Sequence, residues 1–374
     1  MTTTAYHAAT IADGTIGGLY TDAYLVVDDA TVGGIVDTPP TGADVVECKN
    51  SVITPGYIDI HCHGANGTSY DVGSSEFATV KQGHLSHGTT RGVMSFVTAS
   101  VPRLVELIKG ARAIDDPWLL GVHPEGPFLA ESRKGAHDIN LLIDPEPAVV
   151  NTILDAADGF IRQVTIAPER AHGLEAVSTF AEHGAVPAVG HTECDYDTAR
   201  EAFDRGARIL THAFNAMPSI HHRAPGPVIA ALRDPRIWIE VINDGVHVHP
   251  AVVRSLFEEA AERMVLVTDA MAATNSPDGH YLLGELDVEV KDHVARLVDG
   301  GNIAGSTLTM DRAVARAITA VGVPLDVAVA AATSHPAAAI NLEDSYGRLA
   351  EGYPADFLVL DPVTYLPTDI HTSF

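Results

Sequence analysis

Several things are scarce in this chain, and each scarcity narrows the field. It has three cysteines, Cys48, Cys62 and Cys194, odd in number, scattered, and without a Cys-x-x-Cys pair. That offers no disulfide framework and points to a reducing cytoplasm. No window reaches 18 consecutive apolar residues, and Met1-Thr2-Thr3-Thr4 opens no charged segment followed by an apolar core. Neither a membrane span nor a signal peptide is expected. Positive charge is scarce too: 23 basic residues, few of them lysine, face 49 acidic ones, for a formal charge of −26. Such a field repels nucleic acid and anionic membranes, so neither is expected as a partner. It repels an anionic metabolite equally, and a phosphorylated substrate would have to be met by a few local Arg or His side chains.

What is present reads as an ordinary globular protein. At 374 residues, 46% hydrophobic and with a mean hydropathy of +0.11, the chain can bury one large domain and a smaller one. The most informative count is histidine. There are 19, and many stand just after apolar runs.

Both ends look like short strands and turns. Thr21–Val27 and Ala43–Cys48 lie near one terminus, and Ala355–Leu360 near the other. We read residues 1–53 with 343–374 as one small β-sandwich domain built from both termini. Residues 54–342 alternate apolar strands with helical patterns, the signature of a parallel α/β architecture. Eight strands are predicted, at 52–63, 91–98, 118–125, 161–168, 186–191, 207–212, 237–243 and 264–269. Amphipathic stretches at 101–113, 174–183, 195–205 and 250–262 read as helices, and Pro250 suits a first helical position. This predicts a (β/α)8 TIM-type barrel, with chemistry at the carboxyl ends of its strands. A doubly wound sheet is the competitor, but nothing resembles its Gly-rich phosphate turn. After strand eight, residues 278–290 read as a hairpin excursion, with helices following at about 309–321 and 324–333.

The strand ends carry the chemistry. Strand one ends in His61-Cys62-His63, strand three in His123-Pro124-Glu125, strand five in Gly190-His191, strand six in Thr211-His212, and strand eight in Thr268-Asp269. On a strand, residues two apart share a face, so His61 and His63 project together. Imidazole nitrogens and carboxylate oxygens are the ligands that zinc and its neighbours prefer. A lone His after an apolar run is usually a hydrogen-bonded core residue, and a strand-ending acid is commonly a helix cap. Four histidines, a Glu and an Asp at one rim would need six such coincidences. A metal-dependent hydrolase explains them together.

The set then resembles a known family. His61-x-His63, Glu125-Gly126-Pro127, Gly190-His191-Thr192, Thr211-His212-x-x-Asn215-Ala216-Met217, Asp244-Gly245-x-His247 and Thr268-Asp269-Ala270 stand in amidohydrolase order. They are similar, more narrowly, to the N-acetylglucosamine-6-phosphate deacetylase branch, as are Ile303–Met310 and Gly347-Arg348-Leu349 with Ala355-Asp356. The resemblance implies hydrolysis of the acetamide of an N-acetyl amino-sugar 6-phosphate. It implies Glu125, His191 and His212 on a principal divalent metal, zinc before iron, manganese or cobalt. His61 and His63 would serve a second ion, with Glu125 bridging. Asp269 would be the general base and then the acid, and His137 would polarise the carbonyl. Asn215, Ala216, Arg223 and His247, with His137, would contact the sugar phosphate, and Arg223 would reach the neighbouring subunit of a homodimer. The galactosamine epimer stays open as substrate. A deaminase or dipeptidase is disfavoured, because strand four ends Ala167-Pro168-Glu169 with no lysine. Two departures stand out: Gly64-Ala65-Asn66-Gly67 is poorer in glycine than the family, and Pro124 precedes Glu125 where a larger aliphatic is usual.

Overall fold

The computed structural model describes residues 3–374. Its centre is a closed ring of eight short parallel strands. Tyr57–Cys62, Thr89–Phe96 and Leu119–Pro124 form one parallel sheet, and Gln163–Ile166, Val186–Val189, Ile209–Leu210, Trp238–Ile242 and Met264–Val267 form another. Isolated parallel bridges join the two sheets at both seams, Val122 to Ile161 and Cys62 to Ala270. Each strand is followed by a helix: Phe77–Leu85, Val101–Arg112, Pro147–Ala157, Gly173–Glu182, Tyr196–Asp204, Gly226–Arg233, Pro250–Ala260 and Met310–Arg316. Strands buried on both faces read as near-continuous apolar runs because interior and helix-facing side chains are both shielded from water.

Pro250 occupies the first turn of its helix, as expected, and the His249 ring accepts the backbone N–H of Ala251. The Asp195 carboxylate accepts the Thr198 N–H in the same way. These side chains satisfy amide donors that a first helical turn leaves unpaired.

One predicted strand was read too long. Residues 52–63 divide at Gly56. Val52–Pro55 pair antiparallel with Phe357–Leu360, and only Tyr57–Cys62 enter the barrel. A side chain at Gly56 would collide with Thr90, so the sharp redirection needs a residue without one.

Strands from the two termini make one six-stranded sheet, in which Pro367–His371 and Phe357–Leu360 lie beside Asp44–Pro55, Thr3–Ala12, Leu19–Asp28 and Thr31–Val36. It curls until Thr31 bridges Pro354 and the Val32 N–H bonds to the Tyr353 carbonyl. The enclosed face buries Ile11, Leu25, Val32, Ile53 and Phe357, so the two walls around this cluster belong to a single folded sheet. The excursion after barrel strand eight has three strands rather than two, Gly279–Leu283, Leu286–Lys291 and Val294–Leu297. It packs its own apolar face on Val97 and Met271. Among the described residues, no helix is long and apolar enough to cross a membrane.

Candidate active site

The carboxyl ends of the strands converge as expected. Glu125 sits at the centre. Its Oε1 lies 3.2 Å from Nε2 of both His191 and His212, and Oε2 lies 3.1 Å from Nε2 of His63. His61 Nε2 is 3.4 Å from Oε1, and Asp269 Oδ1 is 3.4 Å from His63 Nε2. Two sets of potential ligands therefore share Glu125: His191 with His212, and His61 with His63 and Asp269.

The spacing tests whether a metal fits. The facing Nε2 atoms are 3.1 Å apart for His191 and His212, and 3.3 Å for His61 and His63. A tetrahedral cation about 2.0–2.1 Å from each nitrogen would hold neighbouring ligand atoms about 3.3 Å apart. Imidazoles aimed at one another at that distance suit a common ion.

Hydrogen bonds on the far ring nitrogens support this. His191 donates from Nδ1 to the Arg133 carbonyl at 2.8 Å, and His61 from Nδ1 to the buried Glu240 carboxylate at 3.2 Å. Each bond fixes the tautomer that leaves Nε2 a free lone pair. Glu240 is itself held by the Gln163 amide at 2.7 Å. Sequence reading missed it, though the signal was present: one acid in the apolar strand Trp238–Ile242. His123 is a different kind of histidine. Ser95 and Thr165 hydroxyls lie 3.0 and 2.8 Å from its two nitrogens, and it is a satisfied core residue beneath the site.

The charges follow from this packing. Burial would raise the Glu125 carboxyl, but His61 and the surrounding imidazoles outweigh it and hold the group well below the usual carboxylate range. Burial likewise opposes ionisation of Asp269, yet His63 and His61 bring it down to about 2. Burial would depress His63, but Asp269 and Glu125 raise it to about 9. His137 goes the other way. Burial dominates over the Glu125 contact and lowers it to about 4. Its Nδ1 accepts the Thr98 backbone N–H at 3.2 Å, so the neutral ring carries its proton on Nε2, 3.5 Å from Glu125 Oε2.

Three strand-end residues have left-handed backbones, His191 at φ 46°, His212 at φ 26° and Asp269 at φ 49°, as does Ala216 at φ 50° in the loop after strand six. Non-glycine residues adopt this region at a cost, and such outliers collect at functional sites. They turn the side chains over the barrel mouth.

Above the ligands opens a cleft of about 500 Å³, lined by His63, Glu125, His137, His191, His212, Asn215, Ala216, His247 and Asp269. His61 lies beneath it, fully buried. His247 is oriented by Asp244, whose carboxylate accepts its Nδ1–H at 2.7 Å. Arg223 is not brought to this cleft. It is exposed and lies against its neighbour, with Nη1 2.7 Å from His222 Nε2. Asn66 also stands apart. It takes φ 54°, a conformation asparagine tolerates, and ties its loop to Thr79 and Asn275. Pro124 is the last residue of its strand, and the Glu125 N–H still reaches the Phe96 carbonyl at 2.8 Å.

A barrel with two histidine–carboxylate ligand sets, an ionised Asp and a neutral His on one rim defines a metal-dependent hydrolase. The Amidohydrolase family profile matches residues 52–374, and the chain belongs to that family, which implies a divalent metal. It is 34% identical over 353 residues to an N-acetylgalactosamine-6-phosphate deacetylase of Escherichia coli O157:H7, covering 92% of each chain. It is 33% identical to an N-acetylglucosamine-6-phosphate deacetylase of Vibrio furnissii, covering 91% of this chain and 87% of that one. Among solved structures, a mutant N-acetyl-D-glucosamine-6-phosphate deacetylase of Mycobacterium smegmatis in complex with N-acetyl-D-glucosamine 6-phosphate is 38% identical. Its TM-score is 0.95, over 100% of this chain and 98% of that one. The Pasteurella multocida N-acetylglucosamine-6-phosphate deacetylase is 26% identical with a TM-score of 0.93, over 99% and 98% of the two chains.

Proposed function

We propose that the chain hydrolyses the acetamide of N-acetyl-D-glucosamine 6-phosphate to acetate and glucosamine 6-phosphate, with zinc as its cation. The observation that carries this is the ionised Asp269 carboxylate beside the shared Glu125 site, 3.4 Å from His63 and facing the cleft. The likeness to relatives acting on such sugars supports the substrate. Glu125, His191 and His212 would hold the principal ion, and His61 and His63 a second. A divalent cation bound there would supply polarisation of the amide carbonyl and a lowered pKa for water. Asp269 takes the proton of the attacking water and then gives it to the departing amine, which has to leave protonated at neutral pH. The His137 Nε2–H donates toward the carbonyl oxygen as negative charge gathers there. Burial keeps that ring neutral, so it donates without adding a second cation. Asn215, Ala216 and His247 position the sugar phosphate.

Arg223 is exposed in its own chain, which supports its placement in a neighbour's cleft and hence a homodimer. The barrel, residues 54–342, then carries the chemistry, and residues 1–53 with 343–374 form the small domain. Cys48, Cys62 and Cys194 are free thiols, in keeping with the cytoplasm. The Escherichia coli relative favours one second reading, the galactosamine epimer.

The deciding measurement is acetate release from N-acetylglucosamine 6-phosphate, N-acetylgalactosamine 6-phosphate and unphosphorylated N-acetylglucosamine, with metal content determined on the same sample. Turnover of the first above the other two is expected. If metal-loaded protein turns over neither phosphorylated sugar, the proposal fails.

A further inference from the structure

An anionic substrate would also meet a cation from within the same chain, one that the sequence reading overlooked. Arg223 lies outside the cleft. Of the two arginines that line it, Arg133 is committed: its guanidinium pairs with Glu193 at 2.5 Å while its carbonyl holds His191. Arg296 is not. Among the described residues it makes no ion pair, and its guanidinium donates only to the Gly301 carbonyl, at 3.0 Å.

Its position follows from strand alternation. In Val294–Leu297, Ala295 and Leu297 point into the apolar face of the three-stranded excursion, and Arg296 between them points away from it. An antiparallel bridge to Ile303 fixes the strand beside Asn302 and Ile303, which line the same cleft wall. The excursion thus packs on the barrel by its apolar face, while Arg296 stands on its exposed face, across from Glu289, and lines the cleft beside Gly301 and Asn302. In a chain of charge −26, Arg296 is an exposed cation with no carboxylate partner among the described residues, beside an acidic metal site, free to meet an anion that enters the cleft. Its planar fork matches phosphate oxygens.

We infer that Arg296 binds the phosphate of the substrate from within the same chain, in addition to Arg223. This rests on the phosphorylated substrate proposed above. Two variants separate charge from structure. Arg296→Gln keeps a donor for the Gly301 carbonyl but removes the charge, and Arg296→Lys keeps the charge but loses the fork. A charge-assisted phosphate contact is worth about tenfold or more in affinity. For Arg296→Gln we expect KM for the phosphorylated sugar to rise about tenfold, with a smaller change in kcat. The preference for phosphorylated over unphosphorylated sugar should fall by a similar factor, and Arg296→Lys should recover part of it.

Calorimetric binding of glucosamine 6-phosphate, compared with glucosamine, keeps this test independent of turnover. Weaker binding of the phosphorylated sugar to Arg296→Gln supports the inference even if the wild type deacetylates neither substrate. Equal binding by variant and wild type, or no binding of the phosphorylated sugar to the wild type, overturns it.

Discussion

The Glu125 carboxylate turns one oxygen to His191 and His212 and the other to His63 and His137. A carboxylate with two such faces can bridge two ions, and its neighbours divide by protonation. Asp269 is ionised far below neutrality and His137 is neutral above about pH 4, so acceptor and donor coexist across the working range. Replacing Asp269 by Asn removes the proposed proton acceptor at nearly constant shape. We expect a loss of about 10²–10⁴ in kcat, the usual worth of a positioned acid–base group, with metal content retained. Metal analysis and acetate release on one preparation check this, and wild-type rates would remove the proton-transfer role. At this scale, side chains that announce themselves by type and spacing were legible. His61 and His63, two residues apart, could share only one face of a strand. Glu240 left one trace, a lone acid in the apolar strand Trp238–Ile242, but its bond to His61 joins residues 179 apart in the chain; Arg296, an exposed arginine in an alternating strand, looks unremarkable in one dimension.

Elements place these groups by ending where they do. Barrel strand one was readable as apolar sequence, but its beginning was not, since Val52–Pro55 and Tyr57–Cys62 are equally apolar. Only its long-range partners, Thr10 and Ile11 on one side and Phe357–Leu360 on the other, assign the first half to the terminal sheet. The excursion's third strand was missed for the related reason that Val294–Leu297 is too short to declare a period. Glycine marks the places where elements press closest. A Cβ on Gly92, in barrel strand two, would sit 2.1 Å from the ring of Trp118, which is fully buried and held by a 2.8 Å bond from its indole N–H to the Thr89 carbonyl. The ring cannot retreat without losing that bond. Gly92→Ala should therefore destabilise the fold by about 1–3 kcal/mol, as overpacked cores do. Urea denaturation measures it. Metal content should be unaffected, because the clash lies on the helix-facing side of the strand; an unchanged midpoint would show that the packing yields.

For the molecule as a whole, the acidic balance and the metal site are linked through protons. In the metal-free protein, burial opposes the His63 imidazolium, but Asp269 and Glu125 raise its pKa from the usual 6.5 to about 9. A raised histidine stabilises the fold fully below its unfolded value and loses that contribution as pH climbs through the folded one. The metal-free protein should therefore lose stability between about pH 6.5 and 9, by on the order of 3 kcal/mol. A cation at the His61/His63 position reverses the sign. It needs the neutral ring, so its binding releases the His63 proton and tightens as pH rises through the same window. Bound metal stabilises the native state in proportion to the logarithm of its concentration over Kd. The gap in Tm between zinc-loaded and chelator-treated protein should consequently widen from pH 6.5 to 8.5, and zinc uptake near pH 7.5 should acidify a weakly buffered solution. A gap that stays constant or narrows, with no proton release, would mean that the working protein carries no ion on His61 and His63 and that the principal site of Glu125, His191 and His212 acts alone.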